Sequence, residues 1–174
     1  MIPIRRSIPL HLVALSALLI QPLATSAQAA PTILHAADAG KLLPSSVFFD
    51  GQSASTQLRN SAGVLFPDGK LALAVLVDSS GYSASEQQKY QGYLFAEVPL
   101  AIGAHHLPAG AYGIGVVSGQ FIVMDIGGRN LFQSPTTHDA AMVRPVPLQI
   151  VAGTAPGSFR LCLGRNCIEF RQPR

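Results

Sequence analysis

Turn-forming residues recur along most of this chain at intervals of roughly eight to twelve residues. The signals include the stretches FDGQ, NSAG, PDGK, SSGY, LPAG, GGRN, APG and LGRN. Short runs rich in Val, Ile, Leu, Phe and Tyr lie between them. Such spacing is typical of antiparallel sheets, because parallel strands need longer crossover connections. The pattern therefore predicts an all-β antiparallel β-sandwich, with a small β-barrel as the alternative.

The apolar runs also locate the individual elements. Strands are predicted at 47–49, 53–59, 64–66, 70–78, 90–98, 100–107, 111–117, 120–126, 131–133, 147–151, 158–163 and 167–171. Two short helical segments are predicted at 35–42 and 83–89. The run LALAVLV at 71–77 is apolar on both faces, which predicts a central strand that is covered on both sides.

The N-terminal stretch has the order of a secretory signal peptide. Arg5 and Arg6 precede an apolar run at 12–20, and Ala27-Gln28-Ala29 supplies a small-residue cleavage site. The apolar run is shorter than the ~20 residues that a membrane-spanning helix needs. We therefore expect residues 1–29 to be a signal peptide and residues 30–174 to form a single all-β domain. That domain is expected to be periplasmic or extracellular and to have no transmembrane segment.

The charge of the predicted domain is close to neutral. The chain has 12 Lys and Arg against 9 Asp and Glu, and removal of Arg5 and Arg6 leaves ten cations against nine anions. Aromatic residues do not alternate with these cations, as they do on surfaces that stack nucleic-acid bases. Nucleic acid is therefore not an expected partner. The predicted domain is long enough to bury a core without the help of cross-links.

The only two cysteines, Cys162 and Cys167, lie on either side of the turn in LCLGRNCIEF. If Gly164-Arg165 forms a two-residue turn, Cys162 faces Cys167 and Arg160 faces Glu169. This register places one apolar set of side chains on a single face: Phe159, Leu161, Leu163, Ile168 and Phe170. A shifted turn keeps the faces but opposes two arginines, which is unfavourable. The spacing fits neither a zinc site nor a C-x-x-C redox motif, so we predict a structural disulfide.

A second hairpin is predicted in GAYGIGVVSGQFIVMDIGG. A Ser118-Gly119 turn would place Gly113 opposite Met124, Gly115 opposite Ile122 and Tyr112 opposite Asp125. Glycines in a strand mark a close approach of another backbone or of a ligand, and a buried carboxylate needs hydrogen bonds. One hypothesis is a ligand pocket. Its members would be Tyr112, Gly113, Gly115 and Asp125, with Glu97 as a further member. The alternative is that Asp125 meets solvent at a strand end before Gly127-Gly128.

A metal site is a weaker hypothesis from the sequence. His106, His138 and Asp139 are residue types that zinc accepts, but their spacing matches no known ligand pattern. Exposed loop histidines are also common.

The chain contains no G-x-S-x-G motif and no other recognisable nucleophile, so the sequence shows no catalytic motif and no cofactor is expected.

Four stretches carry a resemblance to known proteins: AGKLLPSSVFFDGQSA, QQKYQGYLFAEVPL, HHLPAGAYGIGVVSGQFIVMDIG and LCLGRN. From the first of these stretches to the last, a region that spans nearly the whole predicted domain, the chain resembles a family of uncharacterised exported bacterial all-β proteins. The resemblance implies export and an all-β fold. It implies no activity and transfers no catalytic residue.

Three functions are compatible with these observations. The first is an exported β-sandwich that acts as a binding or interaction module for an unknown protein or cell-envelope partner. The second is a small periplasmic hydrolase or metal-binding protein that uses His106, His138, Asp125 and Asp139. The third is a β-barrel that binds a small ligand, for which the Gly113 and Gly115 face is the support. The sequence favours the first and leaves the question of enzymatic activity open.

Overall fold

The structure is a computed structural model that describes residues 30–173. The predicted signal peptide, residues 1–29, lies outside the described residues, and its assignment stays a prediction. The described elements are, in chain order, β1 (Thr32–Leu34), α1 (Ala36–Leu42), β2 (Ser46–Phe49), β3 (Gln52–Leu65), β4 (Leu71–Val77), α2 (Ala84–Lys89), β5 (Gly92–Ala96), β6 (Leu100–Ile102), β7 (His105–Leu107), β8 (Gly110–Val117), β9 (Gln120–Met124), β10 (Asn130–Pro135), β11 (Thr137–His138), β12 (Leu148–Ala152), β13 (Ser158–Leu163) and β14 (Asn166–Arg171).

The strands form two antiparallel sheets. The large sheet has the order β1-β3-β4-β5-β8-β9-β10, with β2 paired to β3 off this path. The small sheet has the order β12-β13-β14-β6-β7, with β11 paired to β14 off this path. The chain leaves the large sheet after β5, forms the β6–β7 hairpin in the small sheet and returns in β8. In residues 30–173 the sheets do not close on themselves, so the predicted sandwich is confirmed and the barrel alternative is wrong.

The main core lies between the two sheets. Leu94 and Ile114 of the large sheet point into it, as do Leu161 and Phe170 of the small sheet, and all four side chains are buried. Burial of each such side chain stabilises the fold by about 1.5–3 kcal/mol. The alternation along β13 and β14 sends every member of the predicted apolar set into this core.

A second core lies on the outer face of the large sheet. Leu73, Val75 and Val77 of β4 point away from the small sheet and pack beneath two segments, 36–49 and 82–90, which we call the cover. Phe49 and Tyr90 of the cover are fully buried, and their rings stack with centroids 3.9 Å apart. The strand LALAVLV is therefore covered on both sides along most of its length, as predicted, whereas its first residue, Leu71, is only half-buried.

Both predicted helices are present in the cover. In α2 the Ser83 hydroxyl accepts a hydrogen bond from the Glu86 N–H at 3.3 Å, which satisfies one of the free donors at the helix start. In α1, Asp38 lies in the first turn and Lys41 in the last, where each charge opposes the helix dipole. Pro44 follows directly after the last turn and prevents the helix from continuing.

The two predicted hairpins have the predicted registers. Cys162 pairs with Cys167 and forms a disulfide with a Cα–Cα distance of 4.0 Å. Gly164 has φ +59°, as a glycine at the first central position of this turn requires. In the β8–β9 hairpin Gly113 pairs with Met124 and Gly115 with Ile122, but the ladder stops there. Tyr112 is paired only on the other side of β8, where Leu94 of β5 lies opposite it.

The clearest difference from the sequence prediction concerns NSAG. This stretch was expected to form a turn between two strands, whereas it lies inside the single long strand β3. The pairing with β4 jumps from Gln57 to Ser61, which leaves three residues in a bulge. The Ser61 hydroxyl donates to the Leu58 carbonyl at 2.6 Å, and the Asn60 amide donates to the Gln57 side chain at 2.9 Å. These local bonds let turn-forming residues stay within a strand.

Candidate functional site

The cover leaves part of the outer face of the large sheet open, and this part forms an apolar groove of about 440 Å³. We call it the outer groove. It is lined by Leu42, Leu43, Pro44, Leu71, Leu73, Phe95, Ala96, Glu97 and Gly110. Eight of these nine residues carry no charged or polar side chain. The groove therefore offers a ligand mainly apolar contacts.

Three neighbouring strands build the floor of the outer groove. Leu73 of β4 pairs with Phe95 of β5, and Phe95 in turn pairs with Ala111 of β8. Residues that pair directly across antiparallel strands point to the same face, so these side chains form one row across the sheet. Phe95 also packs against Tyr93, with the ring centroids 5.0 Å apart. The floor is thus continuous with the core beneath the cover.

The end of α1 builds one wall of the groove. Leu43 is buried, whereas the side chain of Leu42 is 53% exposed and faces the open side. The wall is tied to β3, because the Thr56 hydroxyl donates to the Pro44 carbonyl at 2.6 Å and the Thr56 N–H donates to the Ser45 carbonyl at 2.9 Å. The groove is therefore formed before any ligand arrives.

Glu97 supplies the only charge in the lining of the outer groove. Its N–H donates to the Leu71 carbonyl at 2.9 Å, and its carboxylate accepts a hydrogen bond from the Leu71 N–H at 2.9 Å. These two bonds fix the carboxylate beside the strand end. Binding sites for small molecules typically have volumes of about 300–1,000 Å³, apolar walls and a few fixed polar groups. The outer groove has each of these properties.

A second groove, of about 490 Å³, opens between the sheets and is mainly polar. Its amide side chains already hold the fold together. The Gln91 side chain donates to the Val116 carbonyl at 3.0 Å and accepts from the Val116 N–H at 3.1 Å. The Gln57 side chain donates to the Val77 carbonyl at 3.2 Å. Because these groups serve the backbone, the outer groove is the stronger candidate for a binding site.

The structure does not bring Tyr112 and Asp125 together. The buried Tyr112 hydroxyl donates to the Pro108 carbonyl at 2.9 Å. The Asp125 carboxylate accepts from the Gly127 and Arg129 N–H groups at 3.0 Å and from the Arg129 guanidinium. The hydrogen bond from the Arg129 backbone, followed by that from its side chain, lowers the pKa of Asp125 below its usual value. Asp125 therefore lies at a strand end before the Gly127-Gly128 turn, which is the alternative to the pocket hypothesis given in the sequence analysis.

Gly113 and Gly115 are approached by the chain itself. A Cβ atom at Gly113 would overlap with the ring of Phe49, and one at Gly115 would overlap with the carbonyl of Lys89. Both contacts come from the cover. The expected close approach is present, and it is made by the protein's own side chain and backbone. Of the five residues in the pocket hypothesis, only Glu97 lines the outer groove.

The residues of the metal hypothesis lie at the surface of the small sheet. His106 is exposed on the edge strand β7, and His138 on β11 contacts the Asn166 side chain at 3.3 Å. Asp139 pairs with Arg160 at 3.2 Å. Within residues 30–173 no group of three or more His, Cys, Asp or Glu could hold a metal ion. The structure does not bring these residues together into one site. The hydrolase and metal-binding hypotheses stay predictions.

The disulfide lies on the outer face of the small sheet, beneath a segment at 137–147 that we call the strap. Thr137 pairs with Cys167, and the Arg165 guanidinium donates to the carbonyls of Asp139 and Ala140 at 3.1 and 3.2 Å. Both cysteines face away from the core, yet their exposed fractions are only 0% and 2%. The disulfide is therefore shielded from solvent, and we expect the neighbouring strap to contribute to this shielding.

The fold and the groove define an all-β, two-sheet sandwich with a preformed apolar groove on one outer face. Neither the models of known protein families, nor the curated proteins, nor the solved structures include one that matches this chain. The resemblance to exported bacterial proteins therefore stays a prediction from the sequence. The two helices of residues 30–173, with seven and six residues, are too short to cross a membrane.

Sequence reasoning did not identify the outer groove. Leu73 was assigned to a central strand covered on both sides, because LALAVLV is apolar on both faces, and Phe95 was assigned to a predicted strand at 90–98. The signal was present in the length of the apolar strands: two short helical segments and one short strand are too little to cover them completely. Which part stays open depends on where the end of α1 lies on the sheet, and contacts from Thr56 of β3 to Pro44 and Ser45 fix that position.

Proposed function

We propose that this protein is an exported binding module that holds an apolar ligand in the outer groove. The observation that carries the proposal is the groove itself: preformed, apolar on floor and wall, and bordered by one fixed carboxylate. Export is supported by the signal-peptide pattern of residues 1–29 and by a disulfide, which is compatible with an oxidising compartment.

Fluorescence titration with Nile red, a neutral apolar dye, tests the proposal. Protein expressed from the full chain is expected to enhance the dye's emission in a saturable manner. The half-exposed Leu42 contributes apolar contact to the groove, so Leu42→Ser should weaken binding by about 1 kcal/mol, or about fivefold. Val143→Ser is the matched control, because Val143 is 89% exposed and lies on the strap.

The two variants separate groove binding from adhesion to any exposed apolar residue. Equal affinities of Leu42→Ser and Val143→Ser for the dye would contradict the proposal, as would the absence of saturable binding. Neither substitution removes a buried side chain, so both variants are expected to fold. Far-UV circular dichroism of each variant verifies this.

A further inference from the structure

The charge at the groove's edge indicates which apolar ligands the groove prefers. We infer that the outer groove takes a cationic amphiphile, with its apolar part on Leu73 and Phe95 and its positive group at Glu97. The inference rests on the proposed function, because it names the ligand class of the same groove. An alkylammonium group is the simplest chemistry of this kind.

The Glu97 carboxylate is held in place without a ligand. One of its oxygen atoms accepts the Leu71 N–H, and the residue's own N–H is bonded to the Leu71 carbonyl. A ligand that pairs with the carboxylate would therefore lose less conformational freedom on the protein side than with an unrestrained side chain. The second oxygen can accept a further hydrogen bond from a cation.

No cation of the described chain neutralises this carboxylate. The salt bridges found in residues 30–173 involve the carboxylates of Asp38, Glu86, Asp125 and Asp139. Lys41, which precedes the groove wall, is bonded to Asp38 at 3.0 Å. Lys70, next in sequence to Leu71, forms none of these pairs. Glu97 is thus the only charged side chain in the lining, and it forms none of the salt bridges found in residues 30–173.

The apolar lining leaves one place for a charged group. The floor and wall offer Leu, Phe, Pro and Ala side chains, so a charge buried there would have no partner and would be costly. At the edge of the groove, a cation would be attracted to Glu97 and an anion repelled by it. Exposed ion pairs contribute up to about 1 kcal/mol, and salt screens them. Octylammonium should therefore bind about three- to fivefold more tightly than octanol, and octanoate more weakly than either.

Displacement of Nile red by octylammonium, octanol and octanoate in low salt tests this order. Glu97→Gln retains an oxygen that can accept the Leu71 N–H, so it removes the charge with little change in shape. In this variant the affinities of the three probes should become equal within about twofold. Glu169→Gln, which removes a carboxylate on the small sheet, is the matched control and should preserve the order.

The outcomes separate this inference from the proposed function. If all three probes displace the dye from the wild-type protein equally well, the cationic preference is wrong. It is also wrong if Glu97→Gln leaves the order of the three affinities unchanged. Octanol that still competes and is weakened by Leu42→Ser would leave the proposed function intact. If none of the three probes displaces the dye, and the dye itself does not saturate, both are wrong.

Discussion

The two outer faces of the sandwich are covered in different ways. The cover of the large sheet packs Phe49, Tyr82 and Tyr90 onto apolar strands and so forms a core of its own. The strap of the small sheet lies over polar side chains and is held by the Asp139–Arg160 pair and by hydrogen bonds from Arg165. Apolar burial is worth several times more than exposed ion pairs. The cover should therefore be an integral part of the fold, whereas the strap should be an addition to it.

The difference also explains where a ligand can bind. An apolar face that is only partly covered leaves apolar surface open to solvent, and the outer groove is that surface. A polar face with an incomplete cover leaves groups that water can solvate. Four predictions compare the two faces, in order of decreasing effect on stability.

Replacement of Phe49 by Ala should have the largest effect. The side chain is fully buried and stacks on Tyr90, so its loss removes apolar contact and leaves a cavity. We expect the free energy of unfolding to fall by about 3–5 kcal/mol, as measured by urea denaturation. Phe48→Ala is the matched control, because Phe48 is 60% exposed and should change stability by less than about 0.5 kcal/mol. Equal losses in the two variants would mean that the cover is not a core.

Gly115→Ala tests the contact between the cover and β8. A Cβ atom at this position meets the Lys89 carbonyl at the end of α2, which is backbone and can move only with the helix. We expect a destabilisation of about 1–3 kcal/mol, measured as a lower Tm. Gly81→Ala is the control, since the nearest atom to a Cβ there is the Gln52 side-chain oxygen at 3.9 Å. An unchanged Tm in Gly115→Ala would show that α2 is not docked on this strand.

Removal of the disulfide should lower stability less than Phe49→Ala or Gly115→Ala, the two changes that affect the packing of the cover. The bond closes a short loop, because the two cysteines are five positions apart, so its contribution from chain entropy is about 2 kcal/mol at most. The double variant Cys162→Ala, Cys167→Ala should therefore fold and keep its groove. Loss of saturable Nile red binding in this variant, with the fold retained, would contradict the independence of the two faces.

Asp139→Asn should have the smallest effect on stability and a distinct effect on the disulfide. The ion pair with Arg160 is partly exposed, so its loss should cost less than about 1 kcal/mol. If the strap contributes to the shielding of the disulfide, a weaker strap should speed reduction by dithiothreitol, which alkylation and mass spectrometry follow. Asp125→Asn removes the ion pair with Arg129 at a turn of the large sheet and serves as the control. Equal reduction rates in the two variants would show that the strap does not protect the bond.

Local features of this fold could be predicted from the sequence. The Cys162–Cys167 register follows from a two-residue turn and the alternation of apolar side chains, both of which lie within one hairpin. The helix start at Ser83 follows from a capping residue and its partner at Glu86. These elements depend on neighbours in the sequence.

The features that could not be predicted depend on distant contacts. The glycine at position 113 signalled a close approach, but the approaching group is Phe49, from a segment far away in the sequence. The bulge in β3 has turn-forming residues whose hydrogen bonds are completed inside a strand. The groove exists because Thr56 of β3 holds the segment that follows α1 at one place on the sheet. Periodicity reports which residues are apolar, but it does not report which apolar surface stays open.

Mapping of amide chemical shifts by nuclear magnetic resonance, with octylammonium as the added ligand, tests whether a ligand binds in the outer groove. If the outer groove is the binding site, the largest shifts should fall on Leu71, Phe95 and Gly110, which line it on three strands, and on Glu97, which follows β5. Gln57, Gln91 and Asn166 line the polar groove and should not move. Shifts confined to those three residues, or no saturable shifts at all, would show that the outer groove is not the binding site.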